Sequence, residues 1–299
     1  MSVNLRGVFA PVVTTFSDEN GELDVKSFEA NVAAHLAAGL HGIVVTGSTG
    51  EAALLDANER AALVEATRRV TPSDKLVIVG TGAESTRTCL AQTREAARRG
   101  ADAVLVVAPH YYSSAMTTAA LRAHYLRVAD ESPVPVMLYT IPKYMHFALE
   151  ASLVAELATH ENIIGMKDSS GNRDLWTGYM QSQSPTFAVL TGNAQMFHHA
   201  MATGGTGGIL AGALFAPAIA LDIFDAVRRG DEAAAAAAQA RFTPMGTKIV
   251  GELGVPGVKA AMDRVGLVGG PVRAPLMSLD DAQRDVVNGL IESAELAAA

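Results

Sequence analysis

The chain has 299 residues, room for one large barrel or two ordinary domains, and enough to bury a core without disulfide or metal staples. Its formal net charge is −8, and no basic cluster exceeds two adjacent residues (Arg68-Arg69, Arg98-Arg99, Arg228-Arg229), which argues against nucleic-acid binding. The one cysteine, Cys89, has no partner within the chain, so a reducing, cytoplasmic setting is expected.

The segment Met1–Val13 lacks the long apolar core of a signal peptide. A first apolar run, Gly7–Val13, passes into Thr14-Thr15-Phe16-Ser17 without the glycine-rich turn that opens a doubly wound nucleotide-binding sheet. A helix is predicted over Asp24–Ala38, opened by Asp24 and stopped by Gly39. The second run, Gly42–Thr46, leads into Gly47-Ser48-Thr49-Gly50-Glu51. These hydroxyls and backbone N–H groups suit a carboxylate or phosphate, although an ordinary capped turn would look the same. Glu51 reads as the structural start of a helix. Asp56 and Glu59 then cap a helix over Ala57–Val70.

The third run is Leu76–Gly80. Gly80-Thr81-Gly82-Ala83-Glu84-Ser85 after it lacks the third glycine of a dinucleotide fingerprint and reads as a tight turn. A helix over Ser85–Arg99 ends at Gly100. The fourth run, Ala103–Ala108, is followed by Pro109-His110-Tyr111-Tyr112, then a helix from Thr117 to Asp130. The fifth, Val134–Tyr139, runs into Thr140-Ile141-Pro142, with a helix over Leu149–Thr159 beyond it. The sixth is Ile163–Lys167, the seventh Phe187–Leu190 with Thr191-Gly192-Asn193 after it, and the eighth Gly207–Leu210.

Leu175 to Leu221 contains no Asp, Glu, Lys or Arg. A membrane span needs roughly 20 predominantly apolar residues, and Pro185, His198, His199, Gly204–Gly208 and Pro217 interrupt this stretch. It is read as strand, helix and strand, all buried. Beyond Ala213 the strands stop, and helices are expected over Ala216–Arg229, Glu232–Arg241, Gly257–Val265 and Asp280–Leu296. The run Ala233–Ala238 is simply a strong helix former.

Continuous Val/Ile/Leu runs suit parallel strands covered on both faces. Eight of them alternating with helices predict an α/β fold, a (β/α)8 TIM barrel over residues 1–222, with a C-terminal helical region over 223–299 that packs on the barrel. Chemistry in such a barrel gathers at the C-terminal ends of the strands. Gly204–Gly208 precedes its strand, so it falls on the opposite face as a turn.

Lys167 is the conspicuous strand end. The chain has only six lysines, and the other five (Lys26, Lys75, Lys143, Lys248, Lys259) sit in helical or loop-like surroundings. A buried ammonium is costly and tends to lose its proton, and a neutral amine attacks ketones to form a Schiff base. The structural alternative is a lysine that snorkels to water or pairs with Asp168. Tyr139, on the adjacent strand, is placed to reach the amine and move protons; Tyr111 follows the fourth strand. Both could equally be core or rim residues. His198-His199 and His35/His41 lack metal-ligand spacing with a nearby carboxylate. Ser113-Ser114 and Ser169-Ser170 lack a His/Asp set for serine catalysis.

In order and spacing, the Gly-Ser-Thr-Gly-Glu loop, Pro-x-Tyr-Tyr, the strand ending Tyr-x-x-Pro and the Gly-x-Lys strand resemble the dihydrodipicolinate synthase / N-acetylneuraminate lyase superfamily of class I, Schiff-base aldolases. The resemblance covers nearly the whole chain. It implies that Lys167 forms an imine with pyruvate or another 2-oxo acid and that Tyr139 transfers protons. Ser48 and Thr49 hold the carboxylate, with Ser48 also in the catalytic set and Ser169 and Ile209 at the substrate. Tyr111 completes a relay by reaching into a neighbouring subunit's site. It also implies a homotetramer built as a dimer of dimers, no metal or organic cofactor, and small-molecule partners only, a 2-oxo acid and an aldehyde, with neither membrane nor nucleic acid.

Three stretches look more like the 4-hydroxy-2-oxoglutarate aldolase branch than the synthase: Met116–Leu121 running on to Pro135-Val136, Ile164–Gly171, and Gly254–Lys259 with Gly269–Leu276. Synthases carry an arginine shortly after Tyr-x-x-Pro to bind the second substrate's carboxylate; here the position is Tyr144. Thr140 replaces a frequent asparagine, and Lys143-Tyr144-Met145-His146 is bulkier than usual. Lys143 or His146 is placed either to meet a distal carboxylate or hydroxyl or to face solvent. Glyoxylate is the first expectation for the aldehyde. Synthesis of 4-hydroxy-tetrahydrodipicolinate, cleavage of 2-keto-3-deoxy sugar acids, and non-catalytic 2-oxo-acid binding are the alternatives.

Overall fold

The computed structural model describes residues 3–17 and 21–296; Met1, Ser2 and Ala297–Ala299 of the two expected spans lie outside the described residues. Eight parallel strands, β1 (Gly7–Pro11), β2 (Gly42–Val45), β3 (Leu76–Gly80), β4 (Ala103–Val107), β5 (Val136–Thr140), β6 (Ile163–Asp168), β7 (Ala188–Thr191) and β8 (Gly207–Ile209), close into a barrel in sequence order. The seam is the β1–β8 pair, Gly7↔Gly207 to Phe9↔Ile209. A side chain could not stand at Gly207, where a Cβ would lie 1.9 Å from the Gly7 carbonyl oxygen. The expected (β/α)8 barrel is the observed architecture.

The helices outside the strands are α1 (Val25–Ala37), α2 (Ala57–Val70), α3 (Thr86–Arg98), α4 (Thr118–Glu131), α5 (Pro142–Met145), α6 (Ala151–Leu157), α7 (Arg173–Met180) and α8 (Phe197–Ala202), followed by α9 (Pro217–Arg229), α10 (Glu232–Met245), α11 (Gly254–Arg264) and α12 (Asp281–Ser293). Their starts obey capping chemistry. The Asp24 carboxylate accepts from the Ser27 amide, and Asp56 with Glu59 forms a reciprocal capping box at α2. Gly39 and Gly100 follow α1 and α3 with φ of 94° and 93°, the left-handed conformation that ends helices.

The division expected after residue 222 falls inside α9, whose buried Ile219, Ala220, Ile223 and Phe224 pack onto the barrel core. One hydrophobic core then continues through Phe242, Met245, Val258 and Met262 of the C-terminal helices. Two elements there differ from the expectation. α10 runs past Arg241 through Pro244 and continues as a π-helix over Gly246–Glu252. Proline cannot donate to the carbonyl four residues back, so the α ladder is broken there and a wider helix follows. α11 begins at Gly254 rather than Gly257, with Pro256 in its first turn, where a missing N–H costs little. Among the described residues no helix is long and apolar enough to cross a membrane.

Candidate active site

Strand register puts Tyr139 and Lys167 side by side, because β5 and β6 pair Tyr139↔Lys167 one residue before their shared end. Both are buried, and the Lys167 Nζ lies 4.5 Å from the centre of the Tyr139 ring. No ion pair joins Lys167 to Asp168. Adjacent strand residues point to opposite faces, and the Asp168 carboxylate instead accepts from the Ser170 amide at 2.8 Å and the Ser170 hydroxyl at 3.0 Å. Burial therefore acts on the ammonium unopposed and lowers its pKa to about 7. A lysine with that pKa is a nucleophile at neutral pH.

Burial raises the pKa of the Tyr139 phenol, while hydrogen bonds with the side chains of Ser169 and Ser48 pull it back. Those two hydroxyls link the phenol to the rest of the site. Ser169 follows β6 and donates its amide to the Thr140 carbonyl at 3.0 Å. Gly192, after β7, makes room for the assembly: a Cβ there would stand 2.0 Å from the Ser169 Oγ and 2.5 Å from the Lys167 Cε.

The loop after β2 is shaped by two left-handed residues, Thr46 (φ 53°) and Glu51 (φ 54°), around a 3₁₀ turn over Ser48–Gly50. A β-branched residue at positive φ is strained. The Thr46 hydroxyl holds it by donating to the Gly80 carbonyl at 2.9 Å. Glu51 does not start a helix, contrary to expectation; it separates two 3₁₀ turns, and α2 begins only at Ala57. Its side chain is fully buried and pairs at 2.5 Å with Lys259 of α11, which is 1% exposed. Glu51 Oε2 also accepts the Arg273 amide at 2.8 Å. Lys259 donates to the Pro271 carbonyl at 2.6 Å. Sequence reading missed this second buried lysine. The available signal was its place among Val258, Ala260 and Ala261 on an apolar helix.

Ser48, Thr49, Tyr139, Lys167, Ser169 and Ile209 all line one cavity of about 150 Å³ at the C-terminal mouth of the barrel. Tyr111 does not line it. It is 77% exposed beside the 68% exposed Tyr112, ring centres 5.0 Å apart, and Glu84 anchors the loop by accepting the His110 and Tyr111 amides at 2.9 and 2.8 Å. Lys143 and Tyr144 of α5 reach the cavity wall, as does the π-helix through Gly246, Val250 and Gly251. His146 ends α5 in a left-handed conformation, exposed and off the cavity lining. Thr140 is buried and accepts the Leu149 amide at 3.2 Å, so it shapes the backbone rather than the cavity. Gly204–Gly208 lies off the lining as well. Among the described residues no cluster of three or more His, Cys, Asp or Glu side chains is arranged to hold a metal ion.

The arrangement joins a buried amine, a buried phenol and two hydroxyl-bearing loops around one small cavity, groups that can support imine chemistry on a carbonyl acid. Comparison with known proteins agrees. Residues 4–294 match the Dihydrodipicolinate synthetase family. A 4-hydroxy-tetrahydrodipicolinate synthase of Xanthomonas axonopodis pv. citri is 35% identical over 292 residues, 98% of this chain and 95% of that one. A probable mitochondrial 4-hydroxy-2-oxoglutarate aldolase of Emericella nidulans is 38% identical over 229 residues, 75% and 74% of the two chains. Among solved structures, the prophage protein YagE of E. coli K12, described as a member of the dihydrodipicolinic acid synthase family in complex with pyruvate, superposes with a TM-score of 0.93 at 28% identity, covering 99% of this chain and 100% of its own. A family match along nearly the whole length, on a barrel with a desolvated lysine at its mouth, makes this chain a member of the dihydrodipicolinate synthetase family and a Schiff-base-forming carbon–carbon lyase.

Proposed function

We propose that the enzyme reversibly cleaves a 4-hydroxy-2-oxo acid to pyruvate and an aldehyde through an imine on Lys167. The observation that carries the reading is the Lys167 amine, buried without a carboxylate partner against the Tyr139 ring. Ser48 and Thr49 seat the substrate carboxylate. Their amides donate to no carbonyl among the described residues, and their hydroxyls lie beside them. The neutral Lys167 amine adds to C2, and loss of water gives the protonated imine. The C4 hydroxyl gives its proton to the relay of Tyr139, Ser48 and Ser169. The C3–C4 bond breaks, its electron pair flows into the imine to form an enamine, and the aldehyde departs. Protonation at C3 and hydrolysis release pyruvate and restore the amine.

The reading is tested by borohydride reduction in the presence of pyruvate, followed by peptide mass spectrometry. A reduced pyruvyl adduct on the Lys167 peptide is expected. A folded enzyme that gives none sinks the mechanism. Tyr139→Phe removes the phenolic proton but keeps the ring under the ammonium. It is expected to lower kcat by about 10²-fold or more, as for loss of a general acid–base group, with KM little changed. Steady-state kinetics checks this split; a rise in KM at unchanged kcat would place Tyr139 in binding alone.

A second reading has specific support: curated relatives such as that of Xanthomonas axonopodis are named 4-hydroxy-tetrahydrodipicolinate synthase. That reaction joins pyruvate to aspartate semialdehyde. Against it, Tyr144 stands where synthases use arginine, and no arginine lines the cavity among the described residues. Losing a bidentate guanidinium clamp removes orientation as well as charge. A product assay with each substrate pair separates the two. The exposed Tyr111 and Tyr112 suit the expected tetramer, in which Tyr111 would enter a neighbour's site. Light scattering in solution checks the assembly.

A further inference from the structure

The cavity's charge is lopsided. The chain carries 31 acidic residues against 23 basic ones, yet among the described residues that line the cavity there is no Asp or Glu, and two lysines, Lys167 and Lys143, are present. Lys167 is the buried one. Lys143 is exposed and sits on α5, which begins directly after the strand that carries Tyr139.

Lys143 does not point idly into solvent. Its Nζ donates to the Gly251 carbonyl of the π-helix at 2.7 Å, so one ammonium bridges the two elements that form the outer wall. An ammonium has three N–H donors, and this bond uses one. A neutral carbonyl is a weaker partner for it than a carboxylate. Nearby, the Gln195 amide nitrogen is committed to the Thr247 hydroxyl at 2.8 Å. Gly254 and Val255, the first residues of α11, line the same wall, so the positive end of that helix dipole adds to the field there.

This wall would meet the far end of any substrate whose C2 is bonded to Lys167. Among the described residues the one charged group on this wall is the Lys143 ammonium, with no carboxylate beside it, which suits an anion better than a neutral chain. Building on the aldolase reading, we infer that Lys143 is a specificity-determining residue that receives a second carboxylate at the distal end of the 2-oxo acid. The aldehyde fragment is then itself an oxo acid rather than a neutral sugar aldehyde.

The test compares two imine-forming acids of equal length, 2-oxoglutarate and 2-oxopentanoate, which differ in the distal carboxylate. Both compete for Lys167 under borohydride, and the adducts are counted by intact-protein mass. The wild-type enzyme is expected to favour 2-oxoglutarate by about tenfold at low ionic strength. Added salt should narrow that preference because Lys143 is exposed. Lys143→Met should bring it to within about twofold, and Lys143→Arg should keep most of it. Equal labelling by the two acids in the wild type, or an equal loss with both in Lys143→Met, overturns the inference; the second result marks Lys143 as a mere tether for Gly251. Absence of any adduct, with pyruvate as with the two acids, overturns the aldolase reading and this inference with it. A pyruvate adduct without distal selectivity removes the inference alone.

Discussion

Lys167→Ala is expected to lower turnover by on the order of 10⁵-fold, the advantage that a positioned covalent partner holds over one in free solution. The protein should stay folded, because the residue removes an unpaired amine from a buried position rather than breaking an ion pair. Lys167→Arg should be as inactive, since a guanidinium keeps its proton and cannot attack a ketone. The pH profile gives the prediction a second edge. With the amine at about 7, the neutral fraction is about one-tenth at pH 6 and about nine-tenths at pH 8. Initial trapping of pyruvate should therefore rise roughly tenfold across that interval and then level off. A rate that rises about 100-fold across that interval and keeps climbing past about pH 9 would mean an ordinary solvated lysine. Retained turnover in Lys167→Ala would reject imine chemistry.

The strands were legible because each is a short, doubly covered run. Ile78, Val104, Leu138 and Met166 are all buried, and polar interruptions mark where each run ends. Eight strand ends then locate the mouth of the barrel, which is why Lys167, Tyr139, Ser48 and Thr49 fall on one face in the sequence; Ser169 and Ile209 follow only from the family resemblance, and all six line the cavity. What escaped was long-range or irregular. The Glu51–Lys259 pair joins residues far apart in sequence, and although Lys259 lies among apolar neighbours, nothing local names Glu51 as its partner. The π-helix over Gly246–Glu252 follows a proline that, read locally, only shortens α10. The cavity wall that Lys143 shares with Gly251 depends on how that π-helix lies against α5, a tertiary fact without a local signal. Tyr111 was read from the family pattern, and this chain alone leaves it facing outward.

The buried pair carries the other large expected effect. Lys259→Met should destabilise the fold by about 3–5 kcal/mol, because it strands the Glu51 carboxylate in an apolar site. The loss is not confined to α11. Arg273, whose amide Glu51 accepts, also forks onto Glu59 at 2.7 and 2.6 Å, lowering that carboxylate's pKa, and its guanidinium lies 4.2 Å from the Phe16 ring centre. The Lys259 ammonium sits over the same ring at 4.7 Å. The strained loop that presents Ser48 and Thr49 is thus held from the C-terminal region, so this variant should also raise KM for the 2-oxo acid. Urea unfolding gives the stability change. Adding Glu51→Gln, which keeps an acceptor for the Arg273 amide but no charge, should recover a substantial part of the loss. A double variant as unstable as Lys259→Met alone would show that shape at Lys259, rather than its charge, is what the fold requires.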